Sequence, residues 1–143
     1  MISCDSNVLL YSLNEDCAEH AAAWRFVDSC KDRRDFVISE LVLAELYILL
    51  RNPLLVRSPL DSRGAVELVS QYREHPHWRL VEHGTPVMDV VWKDAAKPGF
   101  PRRAIFDARL ARTLQEHGVR EFATRNVKDF ERFGFERVFN PID

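Results

Sequence analysis

Five short runs of hydrophobic residues divide the chain, and polar or turn-forming residues separate them. Short apolar runs of this kind are typical of buried strands. We therefore predict five strands, at residues 1–4, 36–38, 78–81, 121–123 and 137–139.

Helix signals fill the intervals between these runs. Asp5, Ser6 and Asn7 suit a turn and a helix cap before the apolar residues 8–11, and Ser39 suits a cap for a helix that ends before Pro53. A cap residue followed by proline predicts two more helix starts. The further predicted helices are residues 18–29, one starting at Ser58-Pro59, one starting at Thr85-Pro86, residues 103–117 ended by Gly118, and residues 128–133.

Strands and helices alternate along the chain, and this order predicts an α/β fold with a parallel sheet covered by helices on both faces. We expect one domain over residues 1–143. In such sheets the functional crevice lies at the carboxyl ends of the strands, so the chemistry is expected there.

Composition narrows the class of protein. The chain has 143 residues, of which 46% are hydrophobic, with 5 Gly and 7 Pro, which excludes disordered and low-complexity classes. Three widely spaced cysteines predict ordinary thiols and neither a disulfide framework nor a zinc site. The most apolar segment, residues 41–50, is too short to span a membrane, and the amino terminus does not resemble a secretion signal, so we expect a cytosolic protein.

Charge is unevenly distributed although the formal net charge is only −2. Residues 1–92 hold 9 basic and 14 acidic side chains, whereas residues 93–143 hold 11 and 8. This distribution predicts a local basic surface towards the carboxyl terminus.

Four of the 22 acidic residues stand at positions that invite a functional interpretation. Asp5 follows the first predicted strand, Asp107 lies early in its helix, and Asp129 follows the fourth strand closely. Glu45 lies in an otherwise apolar helix, where a buried, unpaired carboxylate would cost several kcal/mol, so we expect it to have a partner. Each has a simpler alternative: capping for Asp5, the helix dipole for Asp107 and Asp129, and solvent exposure or pairing with Arg51 for Glu45.

Taken together, these four acids favour a metal site. Each is attached to a strand end or to a helix that follows one, so all four could meet at one edge of the sheet. Two carboxylates about 4 Å apart oppose each other by roughly 4 kcal/mol at an effective dielectric constant near 20, so a cluster requires protons or cations. Ligands that are all oxygen favour Mg²⁺ or Mn²⁺ over zinc, and such ions suit phosphodiester hydrolysis.

Four segments of the chain carry a family resemblance. They are residues 4–11 (CDSNVLLY), 38–46 (ISELVLAEL), 105–111 (IFDARLA) and 124–130 (TRNVKDF). In this order they resemble PIN-domain ribonucleases, and in particular the VapC-type toxins of bacterial toxin–antitoxin pairs. The resemblance implies a three-layer α/β/α fold, endonucleolytic cleavage of RNA, a bound Mg²⁺ or Mn²⁺, a homodimer, and inhibition by a cognate VapB-type antitoxin.

The resemblance also implies roles for individual residues. Asp5 and Asp107 would be the principal metal ligands, and Glu45 and Asp129 would complete the catalytic acidic cluster. Relatives often place an acid where this chain has Asn126, so Asp129 could bind the metal directly, act through water or only support the loop. The residues expected to support the acids by hydrogen bonds, or simply to form turns, are Asn7, Thr124 and Asn126.

Substrate and partner surfaces are also predicted. The basic residues expected to contact RNA phosphates, or alternatively to form a solvated surface, are Arg102, Arg103, Arg125 and Lys128. Phe100 could stack on an unpaired base or pack in the core or a dimer. The helix of residues 41–50 and the helix containing Trp24 could form a dimer or antitoxin groove, or belong to the core.

Two other functions are compatible with parts of this pattern. A PIN-like module could bind RNA or a partner without cleaving anything. A phosphatase could use Asp5 as a nucleophile, but that arrangement expects a second Asp where this chain has Asn7.

Overall fold

A computed structural model describes residues 1–142. Its five strands lie where the apolar runs predicted them, and each has three residues. They are β1 (Ile2–Cys4), β2 (Val37–Ser39), β3 (Arg79–Val81), β4 (Glu121–Ala123) and β5 (Arg137–Phe139).

Every strand pair is parallel. β1 pairs with β4, β4 with β5, and β2 with β3. A parallel bridge between Ile2 and Phe36 joins the two groups, so the strand order is β3-β2-β1-β4-β5. The order reverses between β1 and β4, and in open parallel sheets this reversal opens a crevice at the carboxyl ends of the strands.

Seven α-helices and a short 3-10 helix (Glu131–Phe133) among residues 1–142 cover the sheet. The α-helices are α1 (Ser6–Leu13), α2 (His20–Cys30), α3 (Glu40–Leu50), α4 (Ser62–Arg73), α5 (Thr85–Ala95), α6 (Ala104–Glu116) and α7 (Val127–Phe130). One group contains α1 packed against α2 and α3, with α4 on α3, while α5 packs against α6. The predicted three-layer α/β/α fold is confirmed. No helix among residues 1–142 is long and apolar enough to cross a membrane.

Aromatic rings and branched side chains fill the space between the layers. Phe36, Phe122 and Phe130 are almost fully buried. Trp78 stacks on Phe36 with 4.2 Å between ring centroids, and its indole N–H donates to the Cys30 carbonyl at 2.9 Å. This packing holds β2 and α2 together beside β1. The three cysteines are free thiols, as predicted.

One predicted helix start is wrong. α4 begins at Ser62 and not after Ser58, because Asp61 caps it by accepting a hydrogen bond from the Gly64 amide at 2.7 Å. The residues before Asp61 do not join α4. The Leu60 amide instead donates to the Leu50 carbonyl at the end of α3. A smaller shift occurs at α5, where Gly84 is the cap residue in place of the predicted Thr85.

Candidate active site

Asp5 lies at the point where the strand order reverses. Its backbone amide donates to the Ala123 carbonyl at 2.9 Å, which fixes it beside the end of β4. Its side chain is 6% exposed and caps α1: Oδ1 accepts from the Ser6 amide at 2.8 Å. Oδ2 accepts from the Thr124 hydroxyl at 2.9 Å. Asp5 is therefore a helix cap, as one interpretation of the sequence proposed, and it is also held in place at the crevice.

Thr124 connects β4 to this carboxylate. It is fully buried, and its amide donates to the Phe139 carbonyl of β5 at 2.9 Å. Its Oγ1 also accepts from the Asn126 amide at 3.0 Å, so one hydroxyl joins Asp5 to the loop that leads into α7. The predicted hydrogen-bonding role of Thr124 is thus present in the structure.

Asn7 and Asn126 flank this contact. Asn7 Oδ1 accepts from the Arg125 amide at 3.4 Å, a long contact between α1 and the loop after β4. Asn126 joins the network through its backbone: its amide donates to Thr124, its carbonyl accepts from the Asp129 amide at 3.1 Å, and its side chain is exposed.

Asp107 brings a second carboxylate to the same place from α6. It lies in the first turn of that helix and is half-buried. Its pKa is raised to about 6, first by burial and then by the negative charges of Asp5, Asp129 and Glu45, while Arg132 acts in the opposite direction. These couplings indicate that the other three predicted acids lie within electrostatic range of Asp107.

The pKa of Asp5 is also raised to about 6. Burial is the largest cause and the charge of Glu45 adds to it, whereas the hydrogen bonds from Thr124 and Ser6 lower the pKa. Because Asp5 and Asp107 are both harder to ionise than ordinary aspartates, a nearby cation would be favourable for both.

Glu45 and Asp129 are exposed at the edge of this cluster. The expectation that Glu45 is buried with a partner is wrong, since the core-facing side of α3 carries Val42, Leu43 and Leu46. Arg51 does not pair with it but donates to the Tyr47 hydroxyl at 2.8 Å. The solvent-exposed alternative describes Glu45 correctly.

The four acids do not form a closed cage. Within residues 1–142, no three His, Cys, Asp or Glu side chains converge closely enough to hold a metal ion among themselves. The donor set nevertheless fits Mg²⁺, which is commonly bound by one or two carboxylates and keeps several waters. Asp5 and Asp107 can supply those carboxylates, and the other two can act through water.

Comparison with known proteins identifies the family of the chain. The model of the PIN domain family matches residues 2–136. The chain belongs to the PIN domain family.

Its relatives include Ribonuclease VapC24 from two strains of Mycobacterium tuberculosis, CDC 1551 / Oshkosh and ATCC 25618 / H37Rv. This PIN domain is 52% identical to each over 142 residues, which cover 99% of this chain and 97% of the relative. The resemblance to VapC-type PIN-domain ribonucleases is therefore confirmed.

Solved structures support the fold. VapC20 of Mycobacterium tuberculosis, described as a sarcin-ricin loop cleaving toxin, matches with a TM-score of 0.74 at 21% identity, over 94% of this chain and 96% of that one. FitAcB of Neisseria gonorrhoeae matches with a TM-score of 0.68 at 24% identity, over 99% and 98%. FitAB bound to the IR36 DNA fragment matches with a TM-score of 0.65 at 21% identity, over 100% and 96%.

The predicted RNA-contacting residues of this PIN domain differ in their surroundings. Arg102, Arg103 and Lys128 are exposed. Arg125 is already engaged: its guanidinium lies over the Tyr11 ring, 5.2 Å from the centroid, and donates to the Tyr11 hydroxyl. It also contacts a Glu19 carboxylate oxygen at 3.3 Å. A surface pocket beside it is lined by Arg125, Asn126, Val127, Lys128, Asp129 and Asn140.

Phe100 and Phe106 differ in their exposure. Phe100 is half-buried and packs against the core, which agrees with the packing alternative. Phe106, which the sequence analysis did not single out, is 73% exposed immediately before Asp107. An aromatic residue next to a candidate ligand in the first turn of a helix is the signal that could have identified it.

Proposed function

We propose that this PIN domain is a metal-dependent endoribonuclease and the toxin of a toxin–antitoxin pair. The observation that carries the proposal is the coupling of Asp107 to Asp5, Glu45 and Asp129 at the carboxyl ends of β1 and β4. The 52% identity to Ribonuclease VapC24 supports ribonuclease activity and the toxin role. The sarcin-ricin loop in the description of VapC20 supports RNA as the substrate class.

In this proposal, Asp5 and Asp107 hold Mg²⁺ or Mn²⁺. A bound divalent cation would supply a Lewis acid that activates water and offsets the charge of the phosphate. Asp5 is well suited to holding it, because the Ser6 amide and the Thr124 hydroxyl fix its two oxygens. A preorganised carboxylate requires little rearrangement when the substrate arrives.

The exposed acids would act on water and protons. Glu45 and Asp129 face solvent beside Asp107, so each can accept a hydrogen bond from a water molecule and orient it towards a phosphate. Asn126, at the position where relatives often have an acid, would support the loop through its backbone contact with Thr124.

Substrate binding is assigned to exposed basic residues. Arg102 and Arg103 precede α6, and Lys128 lies in α7 next to Asp129. Positive side chains on either side of an acidic site can hold successive phosphates of an RNA strand. Arg125 would join them when its contacts with Tyr11 and Glu19 open.

Two partners belong to the same proposal. The relatives named VapC and the FitAB structure support a small cognate antitoxin of the VapB type. We further propose a homodimer, as the family resemblance implies. A short neighbouring reading frame that encodes a DNA-binding segment and a disordered tail would support the pairing, and its absence would count against the toxin role.

Cleavage assays test the enzymatic proposal directly. The purified protein should cut a structured RNA with Mg²⁺ or Mn²⁺ and not with EDTA. Asp5→Asn and Asp107→Asn should each lower the rate about 100-fold or more, since each removes a charge that holds the cation. Glu116→Gln, an exposed acid at the other end of α6, serves as the matched control and should cut normally.

The competing function is an RNA-binding or partner-binding module without activity. It would be favoured if neither metal supported cleavage of any RNA tested. It would also be favoured if both aspartate variants cut as well as the wild type, because the activity would then come from a contaminant.

A further inference from the structure

Phe106 is the most exposed aromatic side chain among residues 1–142. It is 73% exposed, compared with 61% for Trp92 and 52% for Trp24. Single exposed hydrophobic residues are common on protein surfaces, so exposure alone assigns no role. What distinguishes Phe106 is its surroundings.

The ring lies at the end of α6 that carries the candidate site. Asp107 is the next residue. Only four residues, 117–120, join α6 to the start of β4, so the opposite end of α6, which carries Phe106, lies towards the carboxyl ends of the strands and the crevice between β1 and β4. Arg103 precedes Phe106 by three residues, a spacing that brings two side chains of a helix within about 5–6 Å at their Cβ atoms. Arg102 and Arg103 are both exposed. An aromatic face and guanidinium groups therefore share the exposed surface at the end of α6 that carries a candidate metal ligand.

This combination matches the chemistry of a single-stranded nucleotide. A guanidinium can hold the phosphate, and an aromatic ring can stack on the neighbouring base. Bases inside a duplex are already stacked on each other, so an exposed ring selects for unpaired bases. Because every base has a π-face, the ring would tolerate different bases.

We propose that Phe106 stacks on an unpaired RNA base next to the cleaved phosphate and thereby selects single-stranded substrate. The inference rests on the proposed ribonuclease function, and it names a substrate-contacting residue that the acidic cluster does not include. Phe106 would determine which RNA is held, whereas Asp5 and Asp107 would determine whether it is cut.

Binding without cleavage separates these two roles. A single-stranded 12-mer RNA with 2-aminopurine at a central position is titrated in EDTA, so that cleavage cannot contribute. Phe106→Ala should weaken binding about tenfold or more. It should also abolish the change in 2-aminopurine fluorescence that accompanies binding to the wild-type protein. Phe106→Trp should restore both. Phe106→Leu keeps apolar surface without an aromatic face and should restore neither.

Two controls complete the experiment. Leu54→Ala removes an apolar side chain that is 90% exposed in the turn after α3, and it should leave both binding and the fluorescence change unaltered. A blunt-ended duplex RNA should bind Phe106→Ala and wild-type protein equally well.

Several outcomes would overturn the inference. They are a wild-type affinity and fluorescence change in Phe106→Ala, full rescue by Leu, and weakened binding that coincides with loss of a dimer in light scattering, which would assign the ring to an interface between copies. The proposed function fails separately. A protein that stacks the base through Phe106 but cuts no RNA with Mg²⁺ or Mn²⁺ would keep the RNA-stacking role of Phe106 and lose the nuclease.

Discussion

The Thr124 hydroxyl donates to Asp5 Oδ2 at 2.9 Å, joining residues that are 119 positions apart in sequence. Asp5 directly follows β1 and Thr124 directly follows β4, so the contact lies where the order of the sheet reverses. Both residues are buried, and the same hydroxyl accepts from the Asn126 amide. One small side chain therefore fixes a candidate metal ligand and the loop that leads towards Asp129.

Thr124→Val should be destabilising and should also impair the site. Valine has nearly the same shape but leaves a buried oxygen of Asp5 without its donor, which costs about 1–3 kcal/mol of unfolding free energy. Chemical denaturation measures this loss. Thr124→Ser keeps the hydroxyl and should retain most of the stability and cleavage activity. Equal stability of the Val and wild-type proteins would mean that the hydrogen bond contributes nothing.

Much of the fold follows from local sequence signals. β4 and β5 have the predicted limits because each is a short apolar run with turn-forming residues close by. The predicted start of α4 is wrong because proline in the first turn is compatible with a helix start but does not fix its position. Asp61 supplies the hydrogen bond that decides where it begins.

The sequence predicts which acids belong to the candidate site, but not how exposed they are or which contacts the basic residues make. The rule that parallel strands end at one edge was enough to group Asp5, Asp107 and Asp129. The exposure of Glu45 could not be read in the same way, because Ile48, on the same side of α3, is apolar and yet 65% exposed. The hydrophobic periodicity of that helix does not identify its core-facing side, and only packing reveals it. The contacts of Arg125 could not be predicted either, because its partners Tyr11 and Glu19 are far from it in sequence.

Removing the charge of Asp107 should stabilise the metal-free protein. Its pKa is about 6 when folded and near 3.9 when unfolded, so the folded state binds more protons and stability falls as pH rises through this interval. At pH 8, Asp107→Asn should gain about 1 kcal/mol, because partial exposure lets solvent screen some of the repulsion. At pH 4 the gain should vanish.

Denaturant titrations of the wild type and Asp107→Asn in EDTA at both pH values test this. Glu116→Gln is the control and should behave as the wild type does at each pH. A variant that is less stable than the wild type at pH 8 would contradict the repulsion, and the cluster would then be stabilised by something other than a cation.

Metal binding should depend on pH for the same reason. The carboxylates of Asp5 and Asp107 must be ionised to bind a cation, and the pKa of each is raised to about 6. Mn²⁺ should therefore raise the melting temperature strongly at pH 7.5 and weakly at pH 5. A thermal shift of the same size at both pH values, or one that persists in the Asp5→Asn, Asp107→Asn double variant, would place the ion elsewhere.

A second electrostatic element holds α5, α6 and the turn after α7 together. Arg112 forms two hydrogen bonds with Asp94, at 2.7 and 2.9 Å, and also donates to the Phe133 carbonyl at 3.2 Å. Asp94 is buried, and its pKa is lowered mainly by its hydrogen bond with Arg112. Because the folded-state pKa lies below the unfolded one, the pair stabilises the protein above pH about 4 and loses its effect as pH falls further.

Asp94→Asn should thus cost about 2 kcal/mol of unfolding free energy at pH 7 and much less near pH 3. Lys97→Met is the matched control: Lys97 also pairs with Asp94, but its side chain is 69% exposed, so little should be lost. Equal losses in the two variants would mean that burial does not set the strength of this pair.

Arg125 and Lys128 should contribute differently to RNA binding, although both lie in the loop and helix after β4. Lys128 is exposed, so Lys128→Ala should reduce the slope of log K against log salt by about one phosphate contact. Arg125 must first leave Tyr11 and Glu19, so Arg125→Ala should have a smaller effect. Glu19→Gln removes one of these competitors and should strengthen binding by about twofold.

Arg120→Ala provides the control, because Arg120 pairs with Glu136 before the amino end of β4 and should not contact RNA. Titrations in EDTA at several salt concentrations measure all four slopes. Weaker binding by Glu19→Gln would mean that Glu19 holds Arg125 in its RNA-binding position and does not compete with phosphate.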